Sequence, residues 1–296
     1  GIKRFKLPDE FNYIKVFQQI ADEPKTGYGD HALNSLAEIF ENRRQYAKAA
    51  DYWRRSIKEY GPGPNNFKED RVKQIVAAWG QFEPIATQPA RQGATVEFRF
   101  RNGKKVSFEA RAVKVEKLLD DVKAYLKSVP KEVDWNKINI ADIGSRLVVQ
   151  GEEQYVGEKV ATWDLEIEPR PHHFDRRITV TTPLQKAGAY LVTAKMADGN
   201  TSRIILWVTD TVIARKPLAG KMFYYVADSV TGEPIAKANV EFFAWRNRNF
   251  GKNQFKVETQ NFAEFTDAGG QVITPVKADN NNPWEWQWLI TARKDG

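Results

Sequence analysis

The apolar residues of this chain keep two rhythms, and the change between them limits what it can fold into. Between residues 30 and 63 they recur at helical spacing, as in Leu33, Leu36, Phe40, Tyr46 and Trp53. From residue 96 they alternate, with Val96, Phe98 and Phe100 set between Glu97, Arg99 and Arg101. A helix returns a side chain to the same face about every 3.6 residues, whereas a half-buried strand does so every second residue. The chain therefore reads as helical first and β-rich afterwards, a multidomain plan for 296 residues.

In the helical part, Asp30 is placed to cap a helix through Ala32, Leu33, Leu36, Ala37, Ile39 and Phe40. A second helix carries Tyr46, Ala49, Ala50, Trp53, Ser56 and Ile57 and ends before Gly61-Pro62-Gly63. Small residues at Ala37, Ala49 and Ser56 let two antiparallel helices approach closely. Large and small positions together fit a tetratricopeptide (TPR) repeat of about 34 residues, with an unrelated helical hairpin as the alternative. One repeat cannot bury both its faces, so flanking helices are expected over 9–21 and 67–80.

Pro84, Pro89 and Gly93 suggest a linker over 85–95. Asn102-Gly103, between alternating segments, is a strong short-range hairpin signal. Val115, Leu118, Leu119, Val122 and Leu126 place a helix at 115–127 that packs on a sheet or fills a crossover. Strands are expected at 146–150, 160–167, 176–182, 189–196 and 203–213, a spacing that suggests an antiparallel sandwich. A second linker is expected at 214–220. The stretch "VADSVTGEPIAKANVEFF" (226–243) then reads as strand, turn, strand, with Thr231-Gly232 and Pro234 shaping the turn. Further strands are expected at 221–228, 236–245, 254–258, 271–276 and 285–292. The resulting plan is a TPR-like helical domain over 1–90, a β-sandwich over 91–218 with the inserted helix, and a second, incomplete sandwich over 219–296.

The chain has no cysteine, which removes disulfides, thiolate metal sites, cysteine nucleophiles and thioesters from this stretch. The formal charge is +7, and residues 91–130 hold ten Lys/Arg against five Asp/Glu. Arg99, Arg101, Lys105 and Arg111 could form a basic ladder on the exposed face of the hairpin. With the aromatics on its other face, salt bridges to Glu97, Glu109 or a neighbouring domain are expected rather than nucleic acid. His172, His173 and Asp175 could suggest a metal site, but neighbouring residues of an extended chain point apart, so a polar loop is expected. His31 reads as solvated, and Asp120-Asp121 and Glu166 with Glu168 as ordinary surface carboxylates. No cofactor is expected, no apolar run reaches the length of a membrane span, and no catalytic motif is present. The segment "WEWQW" (284–288) puts Trp284, Trp286 and Trp288 on one face of a strand. Such a stripe could stack on sugar rings or bind a peptide. The competing expectation is a core or interface stripe against Phe242 and Tyr224.

Three further segments carry a resemblance. "GAYLVTA" (188–194) and "LWVTDTVI" (206–213) lead into "VADSVTGEPIAKANVEFF", and "FTDAGGQV" (265–272) follows. In this order they resemble consecutive macroglobulin-type (MG) domains of bacterial alpha-2-macroglobulin-like proteins, over residues 91–296. "FRFRNGKKVSFEARAV" is similar to part of a first MG domain. The resemblance implies MG-type sandwiches and an extracytoplasmic protein, periplasmic, surface-bound or secreted. Many relatives trap proteases through a bait region and a cysteine–glutamine thioester. "GEEQ" (151–154) is similar to the thioester sequence with its cysteine replaced, and Glu152 cannot form that bond.

The chain is thus expected to be a non-enzymatic fragment of a longer polypeptide. It would act as scaffold in protease trapping or envelope defence, meeting proteases through the full-length protein and other envelope proteins through its helices. Two alternatives stand beside this: a carbohydrate- or envelope-binding surface module, and a spacer displaying a C-terminal effector.

Overall fold

The computed structural model describes residues 8–23, 27–131, 133–140, 143–148, 150–249, 251, 255–275 and 286–294. Four helices come first: α1 (Tyr13–Asp22), α2 (Gly29–Asn42), α3 (Tyr46–Tyr60) and α4 (Phe67–Val76). Ala37, Ala49 and Ser56 are fully buried where α2 meets α3, as the small-residue spacing requires. Leu33, Leu36 and Trp53 form the centre of this core, and Phe17 of α1 and Val72 of α4 close its flanks. Asp30 lies within the first turn of α2 rather than capping it. Its carboxylate accepts from the Lys68 ammonium at 2.6 Å and the Ser56 hydroxyl at 2.7 Å. That pairing explains how Lys68 sits at 1% exposure, since a buried cation persists only with partners.

The first sandwich begins earlier than the sequence suggests. β1 (Trp79–Phe82) and β2 (Gln88–Pro89) are strands, although this stretch reads as helix end and linker. β3 (Thr95–Arg101) and β4 (Lys105–Val113) follow. Next come the inserted helices α5 (Val115–Lys127), α6 (Trp135–Ile138) and α7 (Ile143–Val148). β5 (Val156–Glu166), β6 (Arg176–Thr181), β7 (Gly188–Met196) and β8 (Thr201–Thr209) complete the unit. One sheet has the order β1-β3-β6 and the other β2-β8-β7-β4-β5. Phe98, Phe100, Val106, Phe108, Val192 and Leu206 fill the space between them.

The Asn102-Gly103 turn is therefore not a hairpin. β3 pairs with β1 and β6, while β4 pairs with β5 and β7, so the chain crosses from one sheet to the facing one. Asn102 takes the left-handed conformation at φ 59°. A Cβ at Gly103 would lie 2.0 Å from the Met196 methyl carbon, so a side chain there would displace the end of Met196. Residues 146–148, expected as strand, belong to α7.

β8 continues into β9 (Thr211–Leu218) with only Asp210 between them. β10 (Lys221–Asp228), β11 (Asn239–Asn249), β12 (Phe255–Phe265), β13 (Gln271–Pro275) and β14 (Gln287–Arg293) follow. The sheets are β13-β10-β9 and β12-β11-β14. Residues 214–218, expected as linker, are thus paired strand, joined to β10 by a tight turn. The stretch 226–243 is likewise a crossover between facing sheets, since β10 and β11 lie in different ones. Tyr224, Val226, Val240, Phe242 and Val272 form the second core.

α5 sits between the two sandwiches. Leu118 packs with Ala189 and Leu191 on the outer face of the first. Val122 and Leu126 pack with Phe243, Trp245 and Val257 on the outer face of the second. This explains why β11 is buried on both faces. Among the described residues no helix is long and apolar enough to cross a membrane.

Candidate interaction surface

Trp284 lies outside the described residues. Trp288 pairs with Ala244 in the register of β14 against β11, which puts it on the inner face of its sheet. A file of rings runs from the core to the rim there. Tyr224 meets Phe242 at 4.9 Å, Phe242 stacks on Phe262 at 4.7 Å, and Phe262 meets Trp288 edge-on at 6.1 Å. Phe242 is fully buried, whereas Phe262 is 37% and Trp288 40% exposed.

Trp286 has a different neighbour. The Arg246 guanidinium lies over its ring, 4.7 Å from the centroid. Glu258 holds that guanidinium in place, accepting from Nε and Nη2 at 2.8 Å each, and Arg248 approaches the same carboxylate at 3.3 Å. Burial works against ionisation of Glu258, but the two arginines together hold its carboxyl below the ordinary value. One face of Trp286 is therefore engaged within the protein, and Trp288 with Phe262 presents the open aromatic surface.

The other side of the same sheet carries a cleft of about 250 Å³ lined by Asn239, Glu241, Asn261, Thr291 and Arg293. Glu241 accepts from Lys123 of α5 at 2.6 Å, and this contact holds its carboxyl below the ordinary value. Arg293 reaches Glu116 at 3.3 Å. The polar groups of this cleft thus brace the inserted helix.

The remaining candidates do not converge. Arg99 and Arg101 project from β3, whereas Lys105 and Arg111 belong to β4 in the facing sheet, so no single basic ladder exists. An aromatic does share the face of the first two: Trp79 lies beneath both guanidinium groups, at 5.3 and 5.0 Å. Arg99 pairs with Glu83 at 3.0 Å and Lys105 with Asp164 at 2.9 Å, while Arg111 donates to the Gly157 carbonyl. Glu97 instead accepts from Thr179, and Glu109 pairs with Lys159. Asp121 accepts from Lys117 and Tyr155, whereas Asp120 is exposed. Glu166 is exposed and Glu168 pairs with Arg176. His31 is exposed in the first turn of α2. In the "GEEQ" segment, Glu152 pairs with the buried Arg146 at 2.8 Å. His173 Nδ1 lies 2.7 Å from Asn102 Oδ1, and Asp175 sits 3.7–3.8 Å from Arg101 and Arg99. Among the described residues no group of three or more His, Cys, Asp or Glu is placed to hold a metal ion.

Sequence reasoning missed two features. Phe262 and the Arg246–Glu258 pair lie at distant positions joined only by strand register. The Arg91–Asp228 ion pair ties the first sandwich to the turn after β10. Asp228 also accepts from the amides of Val230 and Thr231, and Arg91 with these amides lowers its pKa to about 2. The "DSVTG" pattern itself carries the signal for the second half of this arrangement, an aspartate closing its own turn.

No family model and no curated protein matches the chain. Solved structures do. A fragment of native alpha-2-macroglobulin from Escherichia coli spanning domains MG0-NIE-MG1 is similar at 16% identity and TM-score 0.44. The match covers 75% of this chain and 62% of that one, so the chain spans less than two thirds of that fragment. The fragment spanning NIE-MG1 is similar at 18% identity and TM-score 0.44, over 75% of this chain and 94% of that one. The whole E. coli alpha-2-macroglobulin in its native conformation matches at 17% identity and TM-score 0.38, over 75% of this chain and 12% of that one.

Proposed function

We propose that this chain is a non-catalytic scaffold segment of an alpha-2-macroglobulin-like protein of the bacterial envelope, working outside the cytoplasm. The observation that supports it is the tandem arrangement. Two sandwiches of related strand order are joined through one residue, Asp210, and braced by α5, which buries side chains against both. The charged side chains near the candidate surfaces pair with one another across element boundaries. That is the work of a framework rather than of a reacting centre.

On this reading the helical unit, TPR-like, ends near residue 78 and the sandwiches meet at Asp210. The second sandwich takes one further strand. In the first, the sheets β1-β3-β6 and β5-β4-β7-β8 stand face to face. In the second, β9-β10-β13 matches the former and β12-β11-β14 matches β5-β4-β7. Among the described residues nothing stands where β8 stands, beside β14. The half-exposed Trp288, on β14, is the side chain such a strand would flank.

Protease capture then belongs to the whole molecule. The test is to incubate trypsin with the 296 residues and with the full-length protein, following cleavage of casein and of a small chromogenic peptide. The fragment is expected to inhibit neither. The full-length protein is expected to protect casein and spare the peptide. Stoichiometric inhibition by the fragment would place an inhibitory site in these residues and defeat the scaffold reading. The exposure of Trp288 and Phe262 favours the glycan-binding alternative, which requires glycan binding that Trp288→Ala abolishes without a change in melting temperature.

A further inference from the structure

The two adjacent histidines that the scaffold reading leaves unused sit where the helical unit touches the first sandwich. Residues Pro171–His173 form a single tight turn against α3. Both histidines hold left-handed backbone conformations, at φ 61° and 63°. Two consecutive non-glycine residues in that region are uncommon and persist where surrounding contacts fix them.

The fixing contacts are on both sides. The side-chain amide of Asn102, in the β3–β4 crossover, donates to the carbonyls of Ile75 at 2.7 Å and Ala77 at 3.0 Å, at the end of α4. With its NH₂ group so committed, its Oδ1 is left to accept, and His173 Nδ1 at 2.7 Å must donate. The neutral imidazole is thereby the Nδ1–H tautomer. Beside it Phe174 meets Tyr46 of α3 edge-on at 5.5 Å. The charged and titratable groups facing His173 are Arg54 and Asp51 from α3, Arg101 from β3, and His172 on its own turn. Asp51 is itself paired with Arg54 at 3.2 Å.

We propose that His173 and Asn102 form an acid-released latch holding the helical unit on the first sandwich. A proton on Nε2 leaves the bond to Asn102 intact but adds a positive charge to a partly buried site already facing Arg54 and Arg101. Docking adds burial, the largest cause, and then Arg54, and both depress the imidazole below its ordinary value of 6.5, whereas Arg101 and His172 stay beside the ring in either form. The sign follows directly. Above about pH 6.5 both docked and undocked forms are neutral and docking is at full strength. As pH falls below that value the undocked form takes up the proton first, and docking weakens until the docked imidazole is also protonated. Each pH unit of depression corresponds to about tenfold in the docking constant.

The absence of cysteine makes the test direct. Glu38→Cys on α2 and Lys195→Cys on β7, both at exposed positions, accept a donor–acceptor dye pair. Energy transfer is expected to hold from pH 8 to 7 and to fall between pH 6.5 and 5, with the helical circular dichroism unchanged. His172→Gln is expected to keep this response. His173→Gln, whose amide can donate to Asn102 at every pH, is expected to stay docked throughout. Constant transfer in the parent chain, a response of equal size in His173→Gln, or a fall that tracks loss of helix would each overturn the proposal.

Discussion

The two sandwiches are built from related strand orders yet differ in how they end. The first has β8 on the far side of β7, and its central rings, Phe98, Phe100 and Phe108, are almost wholly removed from solvent. The second has β14 in the place of β7, and its ring file reaches the surface at Phe262 and Trp288. The same device, aromatic residues on alternate strand positions, yields a closed core in one case and an open rim in the other. Among the described residues no strand stands beside β14 as β8 stands beside β7.

The strongest way to test that contrast is a pair of truncations. Phe98→Ala empties a fully enclosed site and is expected to cost about 3–5 kcal/mol in chemical denaturation. Phe262→Ala removes a ring already in contact with water, and about 1–2 kcal/mol is expected. Equal costs would mean that the second sandwich is as closed as the first.

The brace between the sandwiches should respond more moderately. Glu241→Gln leaves the Lys123 ammonium enclosed without its counter-charge, and about 2 kcal/mol is expected. Replacing both residues by methionine should recover most of it, which a double-mutant cycle measures. Because Lys123 lowers the Glu241 pKa, the pair's contribution is complete above the ordinary glutamate value of 4.5. It is lost as pH falls through the lower folded value.

The smallest effect is expected at the Arg91–Asp228 contact, which lies at the surface. Carboxyl NMR should place the Asp228 midpoint at about 2, below its ordinary 3.8. Any stability it lends is therefore present above pH 3.8 and lost toward pH 2. Arg91→Ala should move the midpoint upward, leaving the turn amides to hold the remainder.

Much of this architecture was readable in order of residues. The amphipathic spacing of 115–127 is reproduced by α5, and the alternation of 221–228 by β10. Turn residues were read less well, for a physical reason. Asn102-Gly103 and Thr231-Gly232 do reverse the chain, but local backbone preference cannot say whether the flanking strands hydrogen-bond to each other or enter facing sheets. Leu147-Val148 was too short an apolar run to separate helix from strand. On β11, Phe243 and Trp245 broke the alternation that Val240, Phe242 and Ala244 obey, a sign of cover on both faces whose source, α5, lies over a hundred residues away. Of the tryptophan pattern, Trp286 and Trp288 fall among the described residues. That Trp286 rests under Arg246 depends on Glu258, which only the sheet register brings near.

The single residue between β8 and β9 has a mechanical meaning. Asp210 adds no spare length, so the joint cannot stretch, and α5, packed on both sandwiches, restrains the swing its two soft torsions would allow. A pull along the chain passes from a strand hydrogen-bonded in one sandwich straight into a strand hydrogen-bonded in the next. It reaches the eight β9–β10 register pairs at their Thr211–Asp228 end. An array connected in this way carries tension as a cable does, with no slack at the splice.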